Sequence, residues 1–234
     1  MADLSLTWLG HATFRVDTPG GKRVYVDPWL SNPKAPDGAA EVERVDVIAI
    51  THGHNDHVGE TIEIAREHAP KIVAIYELAG WLEAQGVENA SQWGMNKGGT
   101  AEVEGIRFTM TQAHHSGAFG GDDGSITYLG EPGGYVVEFE NGTKVYFAGD
   151  TCVFGDMALI RRIYEPDVAV LPIGDHYTMG PREAAVALEL LGVRRCVPCH
   201  YGTFPVLRGT PEELRELAPD VEILASSPGE TIVL

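Results

Sequence analysis

Apolar and polar positions alternate from the start of the chain, where Leu4, Leu6 and Trp8 interleave with Ser5 and Thr7, the period-two spacing of a half-buried strand. The pattern predicts further short strands at Phe14 to Val16 and Arg23 to Asp27, separated by the turn residues Pro19-Gly20-Gly21. Val45 to Thr51 is a near-continuous apolar run of strand length, as a strand covered on both faces requires. Val58 to His68 then changes to helical spacing, Ile72 to Tyr76 reads as a strand and Glu77 to Gln85 as a helix. Ile106 to Ala113 and Tyr135 to Phe147 return to β-structure, the second interrupted by the hairpin dipeptide Asn141-Gly142. Helices are predicted near Met157 to Tyr164, Pro181 to Leu191 and Pro211 to Leu217, strands at Val168 to Pro172 and Arg195 to Pro198, and two strands close the chain. Pro181 and Pro211 stand where a first-turn proline is tolerated. Gly117 to Gly134 reads as a long glycine-rich loop, of a kind that is often functional in a compact domain.

Two β-rich blocks that each gain helices are expected, within one domain over residues 1–234, because no linker or low-complexity segment divides the chain. One internal echo supports a repeated unit: Gly21-Lys22-Arg23-Val24-Tyr25-Val26 resembles Gly142-Thr143-Lys144-Val145-Tyr146-Phe147.

Composition narrows the function classes. At 234 residues, 44% apolar and 22% charged, the chain is long and apolar enough for one substantial core and is not disordered. A formal charge of −17 with no run of five basic residues excludes a long nucleic acid as the expected partner. The longest apolar stretches, Val45 to Ile50 and Val168 to Gly174, fall far short of the roughly 20 residues that cross a bilayer. Met1-Ala2-Asp3-Leu4-Ser5 lacks the basic start and apolar run of a secretory leader. A cytoplasmic protein with no membrane partner is therefore expected, with Cys152, Cys196 and Cys199 reduced.

Chemistry concentrates in Thr51-His52-Gly53-His54-Asn55-Asp56-His57, which offers four metal ligands within six residues directly after the predicted buried strand. In an extended segment alternate side chains share a face, so His52 and His54 can grip one ion while the turn into a helix aims Asp56 and His57 elsewhere. That spacing suits two neighbouring ions. Imidazole and carboxylate donors accept zinc, iron, manganese or nickel, and no cysteine inside the motif points to a structural zinc. Four ligands cannot fill two shells, and His114-His115, Gly149-Asp150-Thr151 and Cys199-His200-Tyr201-Gly202 each follow an apolar run at a predicted strand end.

On these ordered motifs, H-x-H-x-D-H, then His, then Asp, then His, the chain resembles the metallo-β-lactamase superfamily, in a branch described mostly as generic metal-dependent hydrolases. The likeness runs from Trp8-Leu9-Gly10-His11-Ala12 to His200-Tyr201-Gly202-Thr203-Phe204-Pro205 and includes Val26-Asp27-Pro28, Asn32-Pro33 and Pro172-Ile173-Gly174-Asp175. It implies an α/β (α+β) fold, a four-layered αββα sandwich of two similar halves with the metal site at one edge of the paired sheets. It implies His52, His54 and a later His on the first ion, Asp56, His57 and His200 on the second, and Asp150 bridging them. His115 is favoured as the later His because the family places that ligand directly before Ser or Thr, here Ser116; His114 is the alternative.

Two divalent ions, zinc first, bring the pKa of water toward about 7. The expected activity is attack by a metal-bound hydroxide on a small-molecule ester, lactone or phosphodiester, with a nuclease or thioesterase as alternatives. Asp56 can also orient the water, and His11, His176 and Tyr201 are candidates for polarising the substrate or protonating a leaving group. The family has an amide where this chain has His176, so the inherited role of that position stays open. Trp29 and the loops Asn32 to Ala40 and Phe119 to Gly134 are the expected substrate contacts, and a homo-oligomer stays open. Cys196-Val197-Pro198-Cys199-His200 also spells the C-x-x-C-H of haem attachment, but that chemistry belongs outside the cytoplasm and Pro198 reads as a buried strand end. Occupation of all seven ligand positions argues against a non-catalytic metal-binding protein.

Overall fold

The period-two stretches near the start form β1 (Ser5–Trp8), β2 (Phe14–Asp17) and β3 (Arg23–Val26), an antiparallel meander in a computed structural model that describes residues 3–234. Met1 and Ala2, the first residues of the segment compared above with a secretory leader, lie outside the described residues. β4 (Val47–Ala49), β5 (Lys71–Ile75) and β6 (Gly94–Met95) add to the meander in parallel. Helices α1 (Asn55–Val58) and α2 (Thr61–His68) connect β4 to β5, and α3 (Tyr76–Ala84) follows β5. The single helix expected from Val58 to His68 is thus two. The break falls at Gly59, whose φ of +46° is left-handed and whose Cα abuts the Pro28 and Trp29 backbone too closely for a side chain.

The second sheet is built from β7 (Thr100–Val103), β8 (Ile106–Gln112) and, after a separate hairpin of β9 (Ala118–Gly120) and β10 (Ile126–Tyr128), β11 (Gly133–Glu138) and β12 (Lys144–Phe147). Helix α4 (Met157–Tyr164), β13 (Val168–Pro172), α5 (Pro181–Leu191), β14 (Arg195–Cys199), α6 (Pro211–Leu217) and β15 (Glu222–Ile223) complete it, and β16 (Thr231–Val233) returns to pair with β1. The β9–β10 hairpin lies where the sequence predicts only a loop, and the Asn141-Gly142 turn joins β11 to β12 as predicted.

The two halves share one topology. Along β1 to β6 the pairings run antiparallel, antiparallel, then parallel three times. The series β8, β11, β12, β13, β14, β15 repeats that order. The sequence echo maps onto β3 and β12, which hold equivalent places. Its backbone contacts repeat as well: Asp46 Oδ2 accepts from Arg23 N and Asp167 Oδ2 from Lys144 N, both at 2.8 Å.

Continuous apolar runs mark strands covered on both faces. In β13, Val168 and Val170 enter the core between the sheets, while Ala169 and Leu171 enter a second core under α4, α5 and α6. α2 and α3 add Ile64, Leu78 and Leu82 to the first core, so the layers run αββα. Phe14 and Phe147 meet across the sheets at 6.1 Å, and the buried Tyr135 hydroxyl of β11 donates to Ile50 O at 2.9 Å in the opposite half. No helix among the described residues is long and apolar enough to cross a membrane. Tyr135→Phe removes the cross-sheet bond while keeping the ring, and is expected to lower stability by about 1–3 kcal/mol, read as a lower urea midpoint at unchanged m-value.

Candidate metal centre

The ligand loop leaves β4 at Thr51, and its course is set by a carboxylate from the neighbouring strand. Asp27, 1% exposed and directly after β3, accepts from Thr51 N at 2.8 Å, from Thr51 Oγ1 at 2.7 Å and from His57 Nδ1 at 2.8 Å. Gly149 sits at the other side of the loop with φ of +63°. A Cβ there would lie 2.8 Å from Thr51 Cβ, so only glycine lets β12 approach closely enough to deliver Asp150.

Donor atoms converge in two groups that meet at Asp150. One comprises His52, His54 and His115, the other His11, Asp56, His57 and His200, and His52, His57 and Asp150 lie together between them. Asp150 Oδ2 stands 3.0 Å from His200 Nε2, 3.4 Å from His57 Nε2 and 3.6 Å from His115 Nε2. His57 Nε2 and His200 Nε2 are each 4.0 Å from Asp56 Oδ2. His52, His57, Asp150 and His200 are buried, whereas His54, Asp56 and His115 are partly exposed and form the open side.

Outer hydrogen bonds fix the imidazole tautomers. The single Thr51 hydroxyl proton goes to Asp27, so His52 Nδ1 donates to Thr51 Oγ1 at 3.0 Å and turns the Nε2 lone pair inward. His54 Nε2 meets Ser116 Oγ at 3.3 Å, leaving Nδ1 inward, 3.0 Å from His52 Nε2. His57 Nδ1 is taken by Asp27, leaving Nε2 inward. Those two nitrogens are close enough to share one proton or to face one cation. The buried atoms His57 Nε2, His200 Nδ1 and Nε2, and Asp150 Oδ1 have no hydrogen-bond partner, which a protein interior tolerates poorly without an ion.

The field of the site points the same way. Burial pulls the His57 imidazole down, but Asp150, Asp27 and Asp56 outweigh it and push His57 well above the usual imidazole range. Burial pushes the Asp150 carboxyl up, but His200 and His57 hold it well below the usual carboxylate range. Burial, with His57 adding to it, drives His52 down, which keeps it a neutral donor. The donor set therefore fits divalent cations.

All seven expected ligands come together, and the structure brings His115, not His114, to the cluster. His114 is exposed, with its ring stacked on Phe154 at 4.9 Å. His11 lies within the second group of donors. It is fully buried, its pKa is pulled to about 4 mainly by burial, and as a neutral ring it donates from Nε2 to Asp56 Oδ2 at 3.0 Å and accepts from Thr203 Oγ1 at Nδ1 at 2.9 Å. His176 joins neither group: Asp175 and His176 both adopt left-handed backbone, and the exposed His176 ring packs edge-on against Tyr177 at 4.5 Å. Tyr201 stacks on Trp8 at 5.0 Å. Trp29 is half-buried, 5.2 Å from the His11 ring, but Asn32 is a buried brace that donates to Leu9 O and Trp29 O. Cys196 and Cys199 are buried in different cores, so neither thiol is open to a haem. Sequence reasoning missed the roles of Asp27, Thr51 and Thr203, although Asp27 stands inside the quoted Val26-Asp27-Pro28.

The family described as Beta-lactamase superfamily domain matches residues 22–201. The chain belongs to that family. Proteins named UPF0173 metal-dependent hydrolase are similar over nearly its whole length: one from Herpetosiphon aurantiacus is 51% identical, covering 98% of each chain, and one from Rubrobacter xylanophilus is 51% identical, covering 97% of this chain and 95% of its own. Among solved structures, Igni18 from Ignicoccus hospitalis, described as a novel metallo hydrolase, aligns at a TM-score of 0.86 with 33% identity, over 100% of this chain and 99% of its own. Membership in the β-lactamase superfamily makes the Asp27 carboxylate testable as a support for metal. Asp27→Asn loses one acceptor while keeping the shape, and is expected to weaken metal binding about 10–100-fold in a chelator competition assay.

Proposed function

We propose that the chain is a binuclear metal-dependent hydrolase acting on an ester, lactone or phosphodiester of a small molecule. His52, His54 and His115 hold one divalent cation, zinc before manganese, iron or nickel, and Asp56, His57 and His200 hold the second. The observation that carries this reading is the placement of Asp150 Oδ2 between the two groups, within 3.6 Å of a ligand nitrogen from each, where one oxygen can serve both sites. Two such cations supply paired Lewis acidity, which brings the pKa of water toward about 7 and polarises a carbonyl or phosphoryl oxygen.

The residues of the chain do the positioning. His11 Nε2 clamps Asp56 Oδ2 on the partly exposed side of the site. Burial pushes Asp56 up, but His57 and the His11 hydrogen bond hold it below the usual carboxylate range, so it stays an acceptor that orients water. Thr203 holds His11, and Asp27 holds both His57 and the start of the ligand loop. Ligands come from both halves of the chain, which makes residues 1–234 one working domain. The formal charge of −17 favours a small substrate over a long polyanion, and three free cysteines suit a cytoplasmic setting.

Elemental analysis of protein purified without chelator is expected to return two divalent ions per chain, with ester or phosphodiester hydrolysis lost on chelation and restored by metal. His115→Ala and Asp150→Asn should each lower the bound metal below two and reduce kcat/KM by more than about 100-fold, the upper range for outer-sphere changes. His114→Ala should retain both ions. A protein that takes up no metal on titration, or one whose His114 variant alone loses it, would overturn the assignment.

A further inference from the structure

Helix α4 packs on the outer face of the second sheet and leaves a cavity of about 290 Å³ beside β8, close to the lower size of small-molecule pockets, roughly 300 Å³. Phe154 and Ile160 are buried in its wall, and Leu159, Ile163 and Tyr164 carry the wall to the surface. Leu159 and Ile163, four residues apart on one helix face, stay 47% and 62% exposed, so the mouth is apolar and open. None of the seven expected metal ligands lines the cavity. It is a separate hollow that neighbours the ligand strand only through Phe154, whose ring stacks on His114 at 4.9 Å.

Thr111 lines the cavity from β8, and its buried hydroxyl has no hydrogen-bond partner. Thr109, Val136 and Tyr146 stand side by side across β8, β11 and β12, and Thr111, two residues beyond Thr109, shares their face. The Tyr146 hydroxyl is also buried without a partner. Thr111 eases the upward push that burial gives Tyr146, yet the two hydroxyls are not in hydrogen-bond geometry. Gly134, the register partner of Thr111 on β11, brings no side chain to either. A bare buried hydroxyl is costly, and valine in place of Thr111 would remove that cost while keeping the shape.

The lining is otherwise short of charge. Lys97 Nζ is tied to Glu131 Oε2 at 2.8 Å, and Asp156, the second charged residue of the lining, is exposed. The formal charge of −17 further disfavours an anion. Phe154 and Tyr164 favour a ring over an alkyl chain.

We propose that this cavity is a binding site, apart from the metal centre, for a small uncharged phenol whose ring lies against Phe154, Ile160 and Ile163 and whose hydroxyl pairs with Thr111 Oγ1. The inference does not depend on the hydrolase reading.

The test titrates p-cresol and toluene into the metal-loaded full chain carrying labelled isoleucine δ1 methyls, followed by NMR. Saturable shifts at Ile160 and Ile163 are expected, with p-cresol about three- to tenfold tighter than toluene. Thr111→Val should bring that ratio close to one while the urea midpoint holds or rises. In the exposed double variant Leu159→Ser/Ile163→Ser the p-cresol affinity read at Ile160 should fall at least about fivefold, with the bound metal unchanged. Absence of saturable shifts, equal affinities in the parent, or an unchanged ratio in Thr111→Val overturns the proposal. A lower midpoint in Thr111→Val gives its hydroxyl a structural task and also overturns it. Shifts of the metal-ligand histidine rings with Ile160 and Ile163 unmoved would place p-cresol at the metal centre instead. A dimer that the double variant dissociates, with no p-cresol shift in the parent, assigns the cavity to a second copy.

Discussion

A carboxylate buried at 1% exposure requires compensation on every side, and Asp27 receives it from the Thr51 amide, the Thr51 hydroxyl and the His57 ring. Those three bonds bind the end of β3 to the end of β4 and to α1. Because the Thr51 proton is committed to Asp27, the His52 tautomer is settled, and because His57 Nδ1 is committed, its other nitrogen must face inward. The orientation of two imidazoles therefore follows from one buried acid. Without that acid the ligand loop would be a polar segment with several ways to turn.

Compensation is incomplete by design further in. Orphaned nitrogens on His57 and His200 and an orphaned Asp150 oxygen, set among carboxylates that outweigh the burial of His57, leave a buried cluster suited to cations. Backbone strain is placed in the same spot. Asp27, His11 and His200 all hold left-handed φ values, +48°, +50° and +53°, at a cost of order 1–3 kcal/mol each. His200 N donates to His11 O at 2.8 Å, so two of the strained residues support each other across the two ends of the chain. Such a site is held by the surrounding sandwich, which explains why Tyr135, Phe14 and Phe147 tie the sheets together close to it.

Much of this was legible in the linear chain, for identifiable reasons. The ligand loop shows because four of six consecutive positions carry ligands that a core or an ordinary turn has no use for, and the strands show because burial on both faces demands continuous apolar runs. His115 could be separated from His114 only through the resemblance, since adjacent strand residues look alike until the sheet assigns them faces. The β9–β10 hairpin was hidden because its support is tertiary: Asn55, Phe119 against Trp81, and Leu129 against Gly53 leave no local periodicity. The role of His11 was hidden for a similar reason. Its partners Asp56 and Thr203 are distant in sequence, and its complete burial leaves no local pattern to announce them.

The repeated topology explains both where the site sits and why His176 resembled part of it. Equivalent strands β3 and β12 each lead into an aspartate, Asp27 and Asp150, and His57 stands between them, 2.8 Å from one and 3.4 Å from the other. A single imidazole thus links the two equivalent aspartates, with one as its outer support and the other as its inner neighbour. The equivalent strands β4 and β13 likewise end in polar loops, the first carrying His52 to His57 and the second Asp175 and His176. Only the first turns inward. At β13 the close approach of Gly174 to the His200 carbonyl and the left-handed pair Asp175 and His176 carry the chain outward. The second half contributes its ligands instead from the ends of β8, β12 and β14, as His115, Asp150 and His200. A duplicated scaffold supplies two sets of strand ends, and the divergence of one loop turns a symmetric edge into a site with a buried side and an open side.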